Sequence, residues 1–341
     1  MSSTERPGVY TSYEVSSTLR GQLGGGAVGL AAAATAGTAG EVVAVSDYAA
    51  AVSAFTGGNL PALAKLLLEN GARIVYCCPV VSSNYDTAFA ALMAVSEVKY
   101  MVCDSRDATV HAKLKTAIAG ADERSKYRIG IVESSVTTAS ALVSAAETLM
   151  SERMVLVSHH ETDGTSGSVA AAVCGVMAGE ADPAVPLNGA VLKGIEGDIG
   201  SNVSDTVLTQ LVEGGVLPLE TVGGQICMIR GITTRSQSGG VDDSTWREVN
   251  TVRIVDTVIP GIRDALRAAF SRAKNTAQTR GAIRTRTVIE LESYLKNEII
   301  DGYSDVSAAA SEADPSVCEV SFSFTVAHGL NIIELSAHIT V

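Results

Sequence analysis

Gly24, Gly26 and Gly29 stand at the spacing G-x-G-x-x-G within GQLGGGAVGLAA, a pattern that can cradle a dinucleotide phosphate at a helix N-terminus. That chemistry needs a buried strand ending at the first glycine, a helix after the third, and an acid about twenty residues on. Here the glycines follow the polar run VSSTLRGQL. Asp47, the acid at nearly the right separation, follows a β-rich run at a position suited to capping a helix. The three glycines read as a joint leading into a strand.

A second group, His159, His160, Glu161 and Asp163, follows the strand-like run RMVLVSH, where α/β proteins place sites. Adjacent residues rarely converge on one metal unaided. The simpler reading is a loop whose Thr165 or Ser166 caps the alanine-rich helix that follows. GTSG hints at a serine nucleophile turn, but a triad needs a placed histidine and acid, and His111, His328 and His338 stand alone. The six cysteines (Cys77, Cys78, Cys103, Cys174, Cys227 and Cys318) form no C-x-x-C pair and read as small buried hydrophobes in a reducing compartment. Catalytic, cofactor-binding and metal-binding residues are all expected to be absent.

The elements around these residues define a scaffold. EVVAVS, RIVYCCPV, VKYMVCD, YRIGIVES and RMVLVSH are short β-rich runs separated by helical stretches, which predicts βαβ units and a mostly parallel, doubly covered sheet. In NLPALAKLLLENG, Asn59 is placed as N-cap, Pro61 in the first turn and Gly71 at the C-terminus. TTASALVSAAETLMSE is another amphipathic helix, and one more is expected near 204–213. VLPLETVG and GQICMIRGI read as strands. Val249, Val252, Val255, Ile259, Ile262, Leu266 and Phe270 step at helical spacing, with Pro260-Gly261 expected to kink or split that helix. RTVIELESYLKNEII supplies a second helix, with Glu292 and Lys296 at i,i+4.

Both ends alternate like strands. Val9, Thr11, Tyr13 and Val15 share one face near the start. Cys318, Val320, Phe322, Phe324 and Val326 do so later, and after AHGLN so do Ile333, Leu335, Ala337, Ile339 and Val341. A strand at a chain end needs a partner strand, because an unpaired edge is sticky.

Of the 341 residues 46% are hydrophobic and 18% charged, apolar for a chain without a run of about 18 apolar residues that would span a membrane. Self-association is the expected way to cover that surface. The net charge of −12 argues against nucleic acid as the main partner. Residues 247–286 nevertheless hold nine Lys/Arg against three acids, a net +6 that leaves −18 elsewhere, so one face is suited to an acidic partner.

Several segments together resemble the contractile tail sheath proteins of bacteriophages and phage-tail-like bacteriocins, in a small version. RPGVYTSYE is similar to the family's N-terminal arm, and GGGAVGLAA to the start of its first strand. GGQICMIRGITT resembles its G-x-(apolar)-x-R-x-I-T-T segment, and WREVNTVRIVDTVIPGIRDALRAAF its arginine- and aspartate-bearing helix. IELESYLKNEIIDGYSDV and AHGLNIIELSAHITV are similar to its C-terminal helix and closing strands.

The resemblance implies an α/β (α+β overall) fold: a central mostly parallel sheet flanked by helices, plus a C-terminal α+β sheath domain with extended N- and C-terminal strand arms. The expected divisions are an N-terminal arm (1–20), an α/β domain (21–225) whose first strand region is able to pack with the C-terminal domain, a sheath domain (226–328) and a C-terminal arm (329–341). It implies a non-enzymatic subunit forming stacked hexameric rings around an inner tube and contracting to drive that tube through an envelope. No cofactor, no nucleic acid and no membrane insertion are implied. The arm residues Val9, Tyr10, Thr11, Tyr13, Val15, Ile333, Leu335, Ala337, Ile339 and Val341 would add strands to neighbouring subunits. Arg263, Arg267 and Lys274, on one side of a helix, would face an acidic tube; Gly21, Gly24 and Gly329 would lie at hinges, in 16–24 and 327–331. Baseplate and tail terminator proteins are the other implied partners, with assembly in a bacterial cytoplasm and a final place in a virion tail or released particle. The competing reading is a soluble α/β enzyme, nucleotide-dependent or hydrolytic.

Overall fold

The computed structural model describes residues 26–120, 127–158, 165–196, 204–238, 240–242 and 245–331. Along the chain come β1 (Ala27–Ala33), β2 (Val43–Val45), α1 (Tyr48–Ala54), α2 (Leu60–Glu69), β3 (Val75–Val80) and α3 (Tyr85–Met93). Next are β4 (Val98–Cys103), α4 (Ala108–Ala119), β5 (Ile129–Glu133), α5 (Ala139–Leu149), β6 (Met154–Val157) and α6 (Ser168–Gly179). Then follow β7 (Val191–Leu192), α7 (Asp205–Glu213), β8 (Val216–Leu217), β9 (Leu219–Val222), β10 (Gln225–Met228), β11 (Gln237–Ser238) and β12 (Val241–Asp242). The helices α8 (Val249–Phe270) and α9 (Ala277–Lys296) and the strands β13 (Ile300–Ala310) and β14 (Cys318–Val326) complete the described chain.

The β-rich runs form one seven-stranded sheet in the order β2-β3-β1-β4-β5-β6-β8. Only β2 runs antiparallel to its neighbour. Its strands are buried on both faces because helices cover both. Phe55, Leu63, Leu67 and the length of α6 pack on one face. Phe89, Leu114, Leu142 and Leu211, from α3, α4, α5 and α7, pack on the other. The mostly parallel, helix-flanked sheet expected from the alternation is therefore present, with β4 at its centre and β1 beside it. Asp47 caps α1 by accepting from Ala50 N.

A second core holds the C-terminal elements together. Ile254, Val258, Ile262, Leu291, Tyr294, Ile299 and Ile300 are buried, with Tyr303, Val306, Phe322 and Phe324 packed against them. The expected break at Pro260-Gly261 does not split the helix: α8 runs unbroken through Pro260. A proline removes one intrahelical hydrogen bond, and here buried residues on both sides, Ile254 and Val258 before it and Ile262 after it, hold the helix in register.

Polar contacts tie α8 to the sheet. Arg153 makes a bidentate ion pair with Asp256, its Nη2 donating to Oδ1 at 2.8 Å. Burial pushes the Asp256 carboxyl up, against the pull of the Arg153 guanidinium. Arg253 donates to Tyr100 Oη at 3.2 Å and to Glu180 O at 2.9 Å, so this member of the basic segment is buried rather than on a charged face.

Candidate assembly interface

Among the described residues, those that suggested chemistry do not converge. Gly29 lies within the interior strand β1, with no helix beginning directly after it, so the third glycine of the motif is on the wrong element for a phosphate loop. Gly21, Gly24, His159, His160, Glu161, Asp163 and His338 lie outside the described residues. His111 is buried in α4 with Nε2 at 2.9 Å from Ser105 O, and burial lowers its pKa, so it packs as a neutral ring. Among the described residues no group of three or more His, Cys, Asp or Glu could hold a metal ion, and no described helix is long and apolar enough to cross a membrane.

The carboxyl ends of the parallel strands, where α/β proteins bind ligands, are filled by the chain's own carboxylates. Asp104 accepts from Ala33 N at 2.9 Å, Asn59 Nδ2 at 3.0 Å and Tyr85 Oη at 2.6 Å. Asn59 thus starts α2 without its side chain capping it. Glu133, fully buried at the end of β5, accepts from Gly167 N at 2.7 Å, Val169 N at 3.0 Å and Ala170 N at 3.1 Å. It also pairs with Arg106 Nε at 2.6 Å. The cap of α6 is therefore Glu133, not Thr165 or Ser166. A carboxylate 34 residues upstream reaches N–H groups that a local hydroxyl leaves free.

What remains open is backbone edge and charge. The β13–β14 hairpin forms a separate two-stranded sheet over α9 and α8. Cys318, Val320, Phe322, Phe324 and Val326 are half-buried and the residues between them exposed, as the alternation predicted. β13 was not legible in advance, because register shifts after Ile300 and after Ser304 interrupt its period of two. Tyr303 Oη donates to Glu292 at 3.0 Å; partial desolvation and this hydrogen bond to a carboxylate raise the phenol pKa. Arg284 Nε donates to Val306 O at 2.8 Å, and Asn275 Nδ2 donates to Pro315 O and Val317 O at 2.8 and 3.1 Å. These contacts fix the hairpin to the helices.

Of the proposed tube-facing residues, Arg263 is partly exposed beside Asp264 at 3.7 Å and Arg267 is exposed in the last turn of α8. Lys274 is exposed but sits beyond the helix, which ends at Phe270, so the three do not share one helical face. The arm residues Val9, Tyr10, Thr11, Tyr13, Val15, Ile333, Leu335, Ala337, Ile339 and Val341 lie outside the described residues. Gly329 lies against the α/β body: a Cβ there would meet Pro186 Cβ at 2.9 Å. Two residues on, Asn331 Oδ1 accepts from Asn188 Nδ2 at 2.6 Å.

The described residues thus define a helix-covered α/β body joined to a helical unit that carries a two-stranded hairpin. Comparison with known proteins shows what the chain is similar to. Residues 241–340 match the phage tail sheath C-terminal domain family. Over 135 residues, 39% of this chain, the sequence is 27% identical to the tail sheath protein of Bacillus phage SP01, an alignment spanning only 23% of that protein's length. The fold is similar to the anti-feeding prophage helical sheath in its contracted state, with TM-score 0.73, 18% identity, and 98% and 99% of the two chains covered. It is also similar to a sheath tail protein of Desulfitobacterium hafniense, with TM-score 0.69, 11% identity, and 94% and 100% covered. The C-terminal part of this chain is thus similar to phage tail sheath proteins, as the resemblance read from the sequence implied.

Proposed function

We propose that this protein is a structural subunit of a contractile tail sheath, polymerising as stacked hexameric rings around an inner tube and contracting to drive that tube through a target envelope. The observation that carries the reading is the β13–β14 hairpin inside the matched sheath domain. An isolated two-stranded sheet is marginal in water and invites further strands. The strand-like alternation at both chain ends supplies strands able to pair with such a hairpin in neighbouring copies. An arm making about five backbone hydrogen bonds at roughly 1 kcal/mol net each would hold several kcal/mol before its ordering cost. Contraction then needs no nucleotide, because two packings of one lattice differ in free energy.

The filled strand ends support the same reading, since Asp104 and Glu133 occupy the crevice an α/β enzyme would use. Negative-stain microscopy of the purified chain, intact and lacking residues 1–15, tests the reading. Striated hollow tubes from the intact chain that vanish on deletion are expected. Monodisperse small particles from both would return the α/β enzyme reading to the front.

Arg263, Arg267 and Lys274 are proposed to face an acidic tube surface. Exposed ion pairs are individually weak and screened by salt, which suits a sheath that must release its tube. Reversing charge at Arg263 and Arg267 is expected to impair co-assembly with tube in a pelleting assay. Normal tube-filled particles from that variant would remove the assignment.

A further inference from the structure

We infer that the cavity between the amino ends of the parallel strands and α8 is a binding site for a small aromatic acid, held through one carboxylate by Arg253. The inference does not depend on the sheath reading. The cavity has a volume of about 400 Å³, within the range of small-molecule sites. It lies at the opposite end of the sheet from the crevice that Asp104 and Glu133 fill. Lys99 and Tyr100 reach it from the start of β4, Ile129 from the start of β5, and Glu180 from the end of α6. One face of α8 forms the other wall, where Arg253, Asp256, Thr257, Pro260, Gly261 and Asp264 recur at helical spacing. At about 1.5 Å per residue that face is about 16 Å long.

Arg253 is the group in this cavity whose needs are unmet. It is 4% exposed. Nε donates to Tyr100 Oη at 3.2 Å and Nη2 to Glu180 O at 2.9 Å, both uncharged acceptors, and Nη1 has no acceptor among the described residues. The acids of the wall are turned to other groups. Asp256 is held bidentately by Arg153, Asp264 lies 3.7 Å from Arg263 Nε, and the Glu180 carboxylate accepts from Asp182 N at 3.1 Å. A buried guanidinium whose contacts are all neutral is costly. An anion that reaches Nη1 supplies both the counter-charge and the missing acceptor.

The rest of the wall selects among anions. Glu180, Asp256 and Asp264 set three acids around the space against Lys99 and Arg253. A doubly charged group such as phosphate therefore meets like-charge repulsion that weighs less on a single carboxylate. Tyr127 and Tyr294 give two rings and Ile129 an aliphatic surface on which the body of an aromatic acid packs. The Tyr294 hydroxyl is committed to Thr257 O at 3.3 Å and burial pushes its pKa up, so it presents a neutral ring.

Equilibrium dialysis of the full chain against labelled benzoate tests this, because it reads binding whether the chain is dispersed or polymerised. Saturable binding with a Kd below about 10 mM is expected, and none in that range would overturn the proposal. Benzamide, the neutral isostere, and inorganic phosphate are each expected to bind at least about tenfold more weakly, a difference of about 1.4 kcal/mol. Equal binding of benzamide would mean that the guanidinium recognises no charge, and equal binding of phosphate that the wall does not select a single carboxylate; either sinks the assignment. Arg253→Gln is expected to weaken benzoate binding at least about tenfold. Ala181→Phe puts a ring at a lining position and leaves Arg253 in place. It is expected to weaken binding as much, and it serves if Arg253→Gln does not fold. Benzoate binding unchanged in Ala181→Phe would place the site elsewhere. Bound benzoate per chain that falls as protein concentration rises would give the cavity to an acidic side chain of a second copy and remove the small acid as its occupant.

Discussion

Replacing Glu133 with alanine is expected to destabilise the chain by about 3–5 kcal/mol, the range for removing one partner from a buried charge network. The carboxylate is wholly buried, and three N–H groups of α6 and the Arg106 guanidinium converge on it. Alanine leaves the three buried N–H groups with no acceptor and the quarter-exposed Arg106 without its partner, and each unmet buried donor costs its desolvation. Urea unfolding of wild type and Glu133→Ala measures the difference. A loss under about 1 kcal/mol would mean that water replaces the carboxylate freely and that the cap is dispensable.

A second arm separates the cap from simple cavity formation. A helix N-terminus with an adjacent guanidinium is an anion site, so deleting Glu133 uncovers one. Sulfate is expected to raise the midpoint of Glu133→Ala more than it raises that of wild type, beyond the general stabilisation sulfate gives by exclusion from protein surfaces. Equal shifts would show that the emptied place does not hold an anion. Either result bears on function, because an intact Glu133 opposes phosphate at the crevice where an α/β enzyme would bind it.

The contrast between what could and could not be read from the sequence follows from range. The sheet was legible because VYCCPV, VKYMVC and MVLV are apolar runs bounded by turn residues, and because each intervening helix carries its own local signals. Glu133 was not, since nothing near it announces a helix whose N-cap lies 34 residues later. Arg253 was read with its charged neighbours, although in the fold its guanidinium is held by Tyr100, 153 residues away. In the hairpin, β14 has an unbroken period and was legible, whereas the bulges of β13 shift its phase twice within eleven residues. Lys274 was placed on α8 by spacing alone, and spacing does not say that the helix stops at Phe270. The terminal arms remain expectations from alternation, outside the described residues.

The helix crossing beneath the hairpin gives the other large effect, and it turns on one atom. A Cβ on Gly261 would lie 2.0 Å from Tyr294 Oη but 3.3 Å from Tyr294 Cζ. Elsewhere in a helix interior, glycine to alanine gains about 1 kcal/mol from propensity. Gly281 in α9, with nothing within 4 Å of its added Cβ, is expected to behave that way. At Gly261 the collision should reverse the sign and destabilise by about 1–3 kcal/mol, the cost of overpacking a core. Tyr294→Phe alone removes only a long hydrogen bond to Thr257 O, at 3.3 Å, and should cost about 1 kcal/mol or less. With the hydroxyl gone the alanine fits, so the double variant is expected to be more stable than Gly261→Ala alone. That coupling would be read as a double-mutant cycle in urea. Simple additivity would mean that the helices separate to admit the methyl group. In that case the hairpin floor formed by α8 and α9 is compliant.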